Sequence, residues 1–235
     1  YLAEKEKKTK IAIRGEKMEI FTKDDEIATK NLTPGIKVYD EKLIEEENAG
    51  EIIEYRTWNP RRSKLSAALL NGLDGLQLNS SSKVLYLGAS TGTTVSHISD
   101  MLPEGMIYAV EFSPVSMKKL VRLSEKRPNI APILADATKP KYYLNKCEKV
   151  DLVYCDVAQE KQSELFLNNM NLFLKEDGQG LITIKARSID VVSKPKKIFK
   201  EEERKIKENG YSILEKIKLE PYEKDHIAFL VEKSF

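Results

Sequence analysis

The residues Gly88-Ala89-Ser90-Thr91-Gly92-Thr93-Thr94 lie between an apolar run and an amphipathic one, which makes them a strand-to-helix loop. Glycines let such a loop turn sharply and approach a ligand closely, and the helix start beyond it offers free N–H groups. A dinucleotide site wants glycine at 88, 90 and 93, where this chain has Gly, Ser and Thr, and no Gly-Lys-Ser/Thr follows to make a phosphate loop. Glu111 ends the next apolar run, 23 residues after Gly88, where a carboxylate can accept hydrogen bonds from a ribose diol. Asp136 ends the third run, placed to accept from the exocyclic amine of adenine, and Asp156 ends the fourth. Acidic strand ends are often only solvated caps, but here they recur in succession along one edge of the expected sheet. Ribose and adenine without pyrophosphate describe S-adenosyl-L-methionine. The order G-x-S-x-G, then E, D and D, reads as a class I methyltransferase.

Positioning these side chains requires strands that alternate with helices. Residues 83–87 (KVLYL) precede a helix over 93–102, and residues 107–110 precede a helix over 113–127 opened by Ser113 and Pro114. Residues 130–134 (IAPIL) and 151–154 (DLVY) make the third and fourth strands, a helix over 159–175 stops before Gly178, and 180–184 (GLITI) is the fifth strand. A last helix over 195–209 ends at Gly210. The stretches 211–219 and 227–231 follow without a helix between them, so they should pair antiparallel. The expected fold is α/β, a Rossmann-like seven-stranded sheet with helices on both faces. Ahead of it, Asn59 as cap and Pro60 at the first helical position predict a helix carrying Leu65, Ala68, Leu69, Gly72, Leu73 and Leu76. Short apolar and β-branched stretches at 10–13, 18–22, 27–31 and 35–39, with turns at Gly15, Lys23-Asp24-Asp25 and Pro34-Gly35, predict a small antiparallel β unit. The expected division is a β domain over 1–56 and a methyltransferase domain over 57–235.

The composition bounds the partners. Of 235 residues, 41% are hydrophobic and 32% charged, with 11 Gly and 9 Pro, which excludes collagen-like and linker chains. The longest apolar runs are five residues, far short of the roughly 20 a membrane-spanning helix needs, and residues 1–10 show no apolar export segment. Two cysteines, Cys147 and Cys155, without a CxxC pair or adjacent His, support neither a disulfide framework nor a metal site. A reducing, cytoplasmic setting is expected. The net charge of +2 divides unevenly: residues 1–56 hold 11 basic and 14 acidic residues. Residues 185–200 hold Lys185, Arg187, Lys194, Lys196, Lys197 and Lys200 against Asp190 alone. With Arg61 and Arg62, these form a local basic surface able to hold the phosphates of a polyanion such as RNA without reading sequence, although the three glutamates after Lys200 make part of it a solvated helix face. Nothing resembles an RNA recognition motif.

Longer stretches carry a resemblance that covers nearly the whole chain: TKNLTPG, VYDEKLI, RTWNPRRSKLSAAL, VLYLGASTGTTVSHISD, YAVEFSP, ILADATKP, VDLVYCDVAQ, IKARSID and LEPYEKDHIAF. The chain resembles the archaeal fibrillarin-like ribose 2′-O-methyltransferases. The first loop departs slightly, reading GASTGTT where family members usually read GAASGTT. The resemblance implies cofactor contacts from Gly88, Ala89, Thr93, Thr94, Glu111, Phe112, Asp136, Ala137, Asp156, Val157, Ala158 and Gln159. It implies four catalytic residues, Lys64, Asp156, Lys185 and His226. Asp156 and Lys185 end the fourth and fifth strands and His226 lies at the turn into the last, so the three share one sheet edge, and Lys64 lies on the helix that crosses it. Because lysine is seldom buried unless paired, Asp156 is the expected partner of Lys185. His97, on a helix that faces the sheet, is expected to be a packing or surface residue rather than a functional one.

The resemblance also implies box C/D guide RNA, target ribosomal and transfer RNA, a Nop-family scaffold protein and a small kink-turn-binding ribosomal-type protein as partners. Alternatives are a noncatalytic ribonucleoprotein assembly subunit and a methyltransferase for a base or a protein side chain. Base amino methylation often uses Asn/Asp-Pro-Pro-aromatic after the fourth strand, whereas this chain has Asp156-Val157-Ala158-Gln159.

Overall fold

The computed structural model describes residues 11–13, 16–18, 21–23, 26–48 and 50–234. Residues 1–10, Gly15 and Asp24-Asp25, and with them two of the expected turns, lie outside that set. A short hairpin pairs β1 (Ile11–Ile13) with β2 (Glu16–Met18). A four-stranded antiparallel sheet follows, from β3 (Phe21–Lys23), β4 (Glu26–Lys30), β5 (Leu43–Asn48) and β6 (Glu51–Trp58), in the order β3-β4-β6-β5. Residues 35–39, expected as a strand, are not one. Gly35 has a φ of +79°, and the Val38 and Tyr39 N–H groups donate to the Glu41 carboxylate at 2.8 and 2.7 Å, so a side chain takes the amides a ladder would need. The β5–β6 hairpin went unforeseen because Glu45, Glu46 and Glu47 blur the alternation. Its register, Ile44 opposite Tyr55 and Glu46 opposite Ile53, and the left-handed Gly50 at the turn supply what the pattern hides.

The next helix, α1 (Lys64–Leu70), is shorter than 59–76. Asn59 and Pro60 form a turn instead, with Asn59 accepting from the Arg61 and Arg62 N–H groups, and Ser63 is the actual N-cap. Left-handed Gly72 stops the helix, yet Leu73 and Leu76 remain buried in the core. The alternating part then runs β7 (Lys83–Leu87), α2 (Thr93–Met101), β8 (Met106–Glu111), α3 (Pro114–Ser124), β9 (Ile130–Leu134) and β10 (Val150–Cys155). After α4 (Gln162–Phe173) the chain passes without a loop into β11 (Leu174–Lys185), so the expected helix over 159–175 is trimmed at both ends. One turn, α5 (Ala186–Ile189), precedes α6 (Pro195–Glu208), β12 (Tyr211–Lys218) and β13 (His226–Lys233). A 3-10 segment over Pro140–Lys146 was also unforeseen.

The seven-stranded sheet has the order β12-β13-β11-β10-β7-β8-β9. Its strands are parallel except β13, which is antiparallel to both neighbours, as the missing helix before it required. Apolar side chains form one cluster on each face. The small sheet docks through buried charge: Arg56 reaches Glu41 at 2.7 Å and Asp100 at 2.8 Å, and Asp100 also takes Arg127 at 2.6 Å and the Thr29 hydroxyl at 2.7 Å. Fully buried His97 lies against Trp58 in a stack at 4.7 Å and bonds Thr29 and Tyr39. His97 is a packing residue, as expected.

Candidate active site

The C-terminal ends of β7, β8, β9 and β10 face the same side of the sheet, and the glycine loop sits among them. Gly88 has a φ of +85°, and a Cβ there would lie 2.9 Å from the Asp156 carbonyl oxygen. Only glycine lets β7 leave the sheet beside β10, whose next residue donates its N–H to the Leu87 carbonyl at 3.0 Å. Ser90 is also left-handed, with a φ of +50°, and its N–H donates to Glu111 Oε2 at 2.8 Å. The other carboxylate oxygen, Oε1, accepts from Ser113 N–H at the start of α3, also at 2.8 Å. Glu111 is thereby held rigid and buried, with a lone pair to spare on each oxygen for a diol.

Around this loop, Phe112 is 72% exposed, a bare aromatic face beside Glu111, and Ala89 and Ala137 are buried small residues. Asp136 is exposed, and its Oδ1 accepts from the Thr138 N–H and hydroxyl at 2.9 and 2.7 Å, bonds that hold its carboxyl below the usual range. Val157 and Gln159 are half-buried after β10 and Ala158 is exposed. Thr94 differs from the other loop residues: its hydroxyl donates to Ser63 Oγ at 3.0 Å, so it ties α2 to the cap of α1, and its side chain is left only as an acceptor. A cradle shaped by glycine, a rigid carboxylate and an exposed ring fits an adenosine bearing a diol and no pyrophosphate.

On the far side of Asp156, Lys64 Nζ donates to Asp156 Oδ1 at 2.7 Å. Burial would lower the Lys64 pKa, but the Asp156 carboxylate overrides it and the net shift is upward, so Lys64 is a fixed cation. Thr183 Oγ1 also donates to Oδ1, at 3.1 Å, while Oδ2 has no partner among the described residues. Lys185 stands opposite His226 across the β11–β13 ladder. Its side chain is exposed and makes no ion pair among the described residues, which corrects the expected Lys185–Asp156 pair: Asp156 is taken by Lys64, 92 residues away. His226 Nδ1 bonds the Lys224 carbonyl at 2.7 Å, which leaves Nε2 as the acceptor of the neutral ring. Burial lowers the His226 pKa and the Lys64 and Lys185 charges lower it further, against the Lys224 bond and Glu223, so the ring is neutral near pH 7. Lys64 is bonded to Asp156, Lys185 is laddered opposite His226, and both lysine charges bear on the imidazole.

Two residues that the sequence did not single out hold this place together. Gln162, fully buried at the start of α4, accepts from the Lys185 N–H at 3.1 Å and donates to the Lys185 carbonyl at 3.3 Å. The β10–β11 pairing ends at Cys155–Ile182, so the Gln162 amide stands in for the missing strand. Thr183 does the same for the Asp156 carboxylate. Neither carries a local signal, since a glutamine after a turn and a threonine in a strand are both ordinary. Among the expected RNA-facing residues, Arg61 lies over the Tyr222 ring at 5.9 Å, Arg62 pairs with Asp40, and Arg187 pairs with Asp225 at 3.1 Å. Lys194, Lys196 and Lys197 are exposed at the start of α6 without ion pairs among the described residues. Among these residues no cluster of His, Cys, Asp or Glu could hold a metal ion, and no helix is long and apolar enough to cross a membrane.

The family model for fibrillarin matches residues 11–234. The fibrillarin-like rRNA/tRNA 2′-O-methyltransferase of Methanothermobacter thermautotrophicus is 54% identical over 214 residues, 91% of this chain and 94% of that protein. A crystal structure of Aeropyrum pernix fibrillarin with natively bound S-adenosyl-L-methionine is 43% identical with a TM-score of 0.77, covering 88% of each chain. A fibrillarin/Nop5p complex is 42% identical with a TM-score of 0.81, covering 91% of this chain and 97% of the other.

Proposed function

This chain belongs to the fibrillarin family, and from that premise we propose that it is an S-adenosyl-L-methionine-dependent ribose 2′-O-methyltransferase of ribosomal and transfer RNA, directed to its targets by a box C/D guide RNA. The observation that carries the reading is the Lys64–Asp156 pair at 2.7 Å beside the glycine loop, with Asp156 Oδ2 left unengaged. Glu111, Phe112, Asp136 and the 156–159 stretch would hold the cofactor, which supplies an electrophilic methyl group when bound.

A ribose hydroxyl is a poor nucleophile near pH 7, so it must be aligned and partly relieved of its proton. Asp156 Oδ2 accepts the 2′-proton, while Lys64 and Thr183 keep Oδ1 engaged and fix the carboxylate. The exposed Lys185 ammonium stabilises the charge that develops on the 2′-oxygen. Neutral His226, accepting at Nε2, orients the ribose without adding a third positive charge. Alignment of oxygen, methyl and sulfur supplies on the order of 7–11 kcal/mol in well-oriented systems.

Guide direction is favoured by a site with basic residues but no built means of reading bases, and a Nop-family scaffold and a kink-turn-binding protein complete the particle. The test is reconstitution with two different guide RNAs, mapping the methylated nucleotide in each. The site should move with the guide, and a modification that stays put, or falls on a base, would overturn the reading.

A further inference from the structure

A cavity of about 540 Å³ opens beside the glycine loop, lined by none of the four catalytic candidates. Its walls come from residues 33–39, Arg62, Thr91 and Thr93, and the face of α3 that bears Lys119, Arg122 and Leu123, with Lys126 and Arg127 beyond the helix end. Among the described residues, no acidic side chain lines it. Arg127 is committed to Asp100, and Arg62 to Asp40. Lys37, Lys119, Arg122 and Lys126 are exposed, and none of their side chains has an ion pair or hydrogen bond among the described residues. Four uncompensated cations around one hollow repel one another, a cost that an anionic occupant removes.

We propose that this cavity holds the phosphodiester backbone of an RNA strand, on a surface that does not include the basic start of α6. The inference rests on the reading of the protein as an RNA methyltransferase. Three features favour a backbone over a small anion or an acidic protein segment. First, the free cations are long flexible side chains strung from residue 119 to 126, a span of about 10 Å at helical rise, enough for successive phosphates of one strand. A built site for one small anion would have buried, converging donors, and the buried cation in this wall, Arg127, is already paired. Second, the aromatic ring in the wall, Tyr39, is covered by Arg62 at 4.9 Å, so it offers no stacking anchor of the kind that centres protein interfaces. Third, the cavity borders the glycine loop: Thr91 and Thr93 line it, and Leu123 packs so closely on Gly92 that a Cβ there would come within 2.5 Å of its Cδ2.

The test compares the wild-type chain with the triple variant Lys119→Gln, Arg122→Gln and Lys126→Gln, using a fluorescently labelled guide–target RNA duplex over a range of salt concentrations. Binding at low salt should weaken about ten- to a hundredfold, and the salt slope should become shallower by about two to three units, one for each phosphate no longer neutralised. Cofactor affinity by calorimetry should not change, and the charge-keeping pair K119R and K126R should bind RNA as wild type does. If the triple variant keeps the wild-type affinity and slope while the wild type binds and methylates RNA, the cavity assignment alone falls. It also falls if the loss appears only in RNA-free association with a Nop-family scaffold, or if millimolar inorganic phosphate at constant ionic strength displaces the duplex completely. A wild type that binds no RNA under any condition would instead overturn the reading on which the inference rests.

Discussion

At the scale of single residues, the site depends on groups that hold other groups. Asp156 is useful as an acceptor only if one oxygen stays free, and Lys64 and Thr183 secure that by sharing the other. Lys185 is useful as a cation only if its backbone stops at a fixed height, and the buried amide of Gln162 sets that height with two hydrogen bonds. Gln162→Leu should therefore lower kcat about ten- to a hundredfold, the effect of a displacement of about 1 Å at a reacting centre. Cofactor affinity should stay near wild type, because the glycine loop and Glu111 are untouched. The orphaned Lys185 N–H and carbonyl should cost about 1–3 kcal/mol of stability. Single-turnover rates, calorimetry and thermal unfolding separate the three effects. A loss of cofactor binding equal to the loss of rate would make Gln162 a general packing residue.

At the scale of elements, the strand-to-helix loop carries the strictest constraint. Gly88 is left-handed and closes on the Asp156 backbone, so Gly88→Ala combines a disfavoured φ with a 2.9 Å contact to a carbonyl oxygen that cannot move without shifting β10. We expect a stability loss of about 1–3 kcal/mol and weakened S-adenosyl-L-methionine binding together, measured by thermal unfolding and calorimetry on the same sample. An alanine variant with wild-type affinity would mean that the loop relaxes without disturbing the cradle. α1 is constrained differently: Ser63 caps it and accepts from Thr94, so the helix that presents Lys64 is tied to the helix that follows the loop. The two sides of the site cannot shift independently.

At the scale of the whole molecule, the small sheet and the large one share a buried ionic interface that binds pH to stability. His97 is fully buried, and burial together with the Arg56 and Arg127 charges pushes its pKa well below the ordinary value near 6.5. The unfolded chain takes up a proton below about pH 6.5 that the folded chain refuses, so stability is complete above that pH and declines as pH falls. One such group contributes a slope of up to about 1.4 kcal/mol per pH unit, and His226, shifted the same way, adds to it. Denaturant melts between pH 7 and 5 should show the decline. His97→Gln should be less stable at pH 7, where it loses the Trp58 stack, but should show a shallower slope. An unchanged slope would place the acid sensitivity elsewhere.

The order of strands and helices, the antiparallel last pair and the acidic strand ends were legible in the sequence, because alternation, helical spacing, caps and turn residues act over a few neighbours. The same locality explains the failures. The β5–β6 hairpin hides behind three glutamates that a solvated face tolerates, and residues 35–39 look like a strand until Glu41 takes their amides. In the site, the family resemblance marked Lys64, Asp156, Lys185 and His226 as a group, and the burial argument paired Asp156 with Lys185 where the structure pairs it with Lys64. Tertiary structure decided that Asp156 belongs to Lys64 rather than Lys185, that Gln162 completes the Lys185 backbone, and that α3 turns its unpaired cations toward the glycine loop. Pairing across 92 residues depends on how α1 crosses the sheet edge, a geometry set by core packing as a whole and by no local pattern of residues.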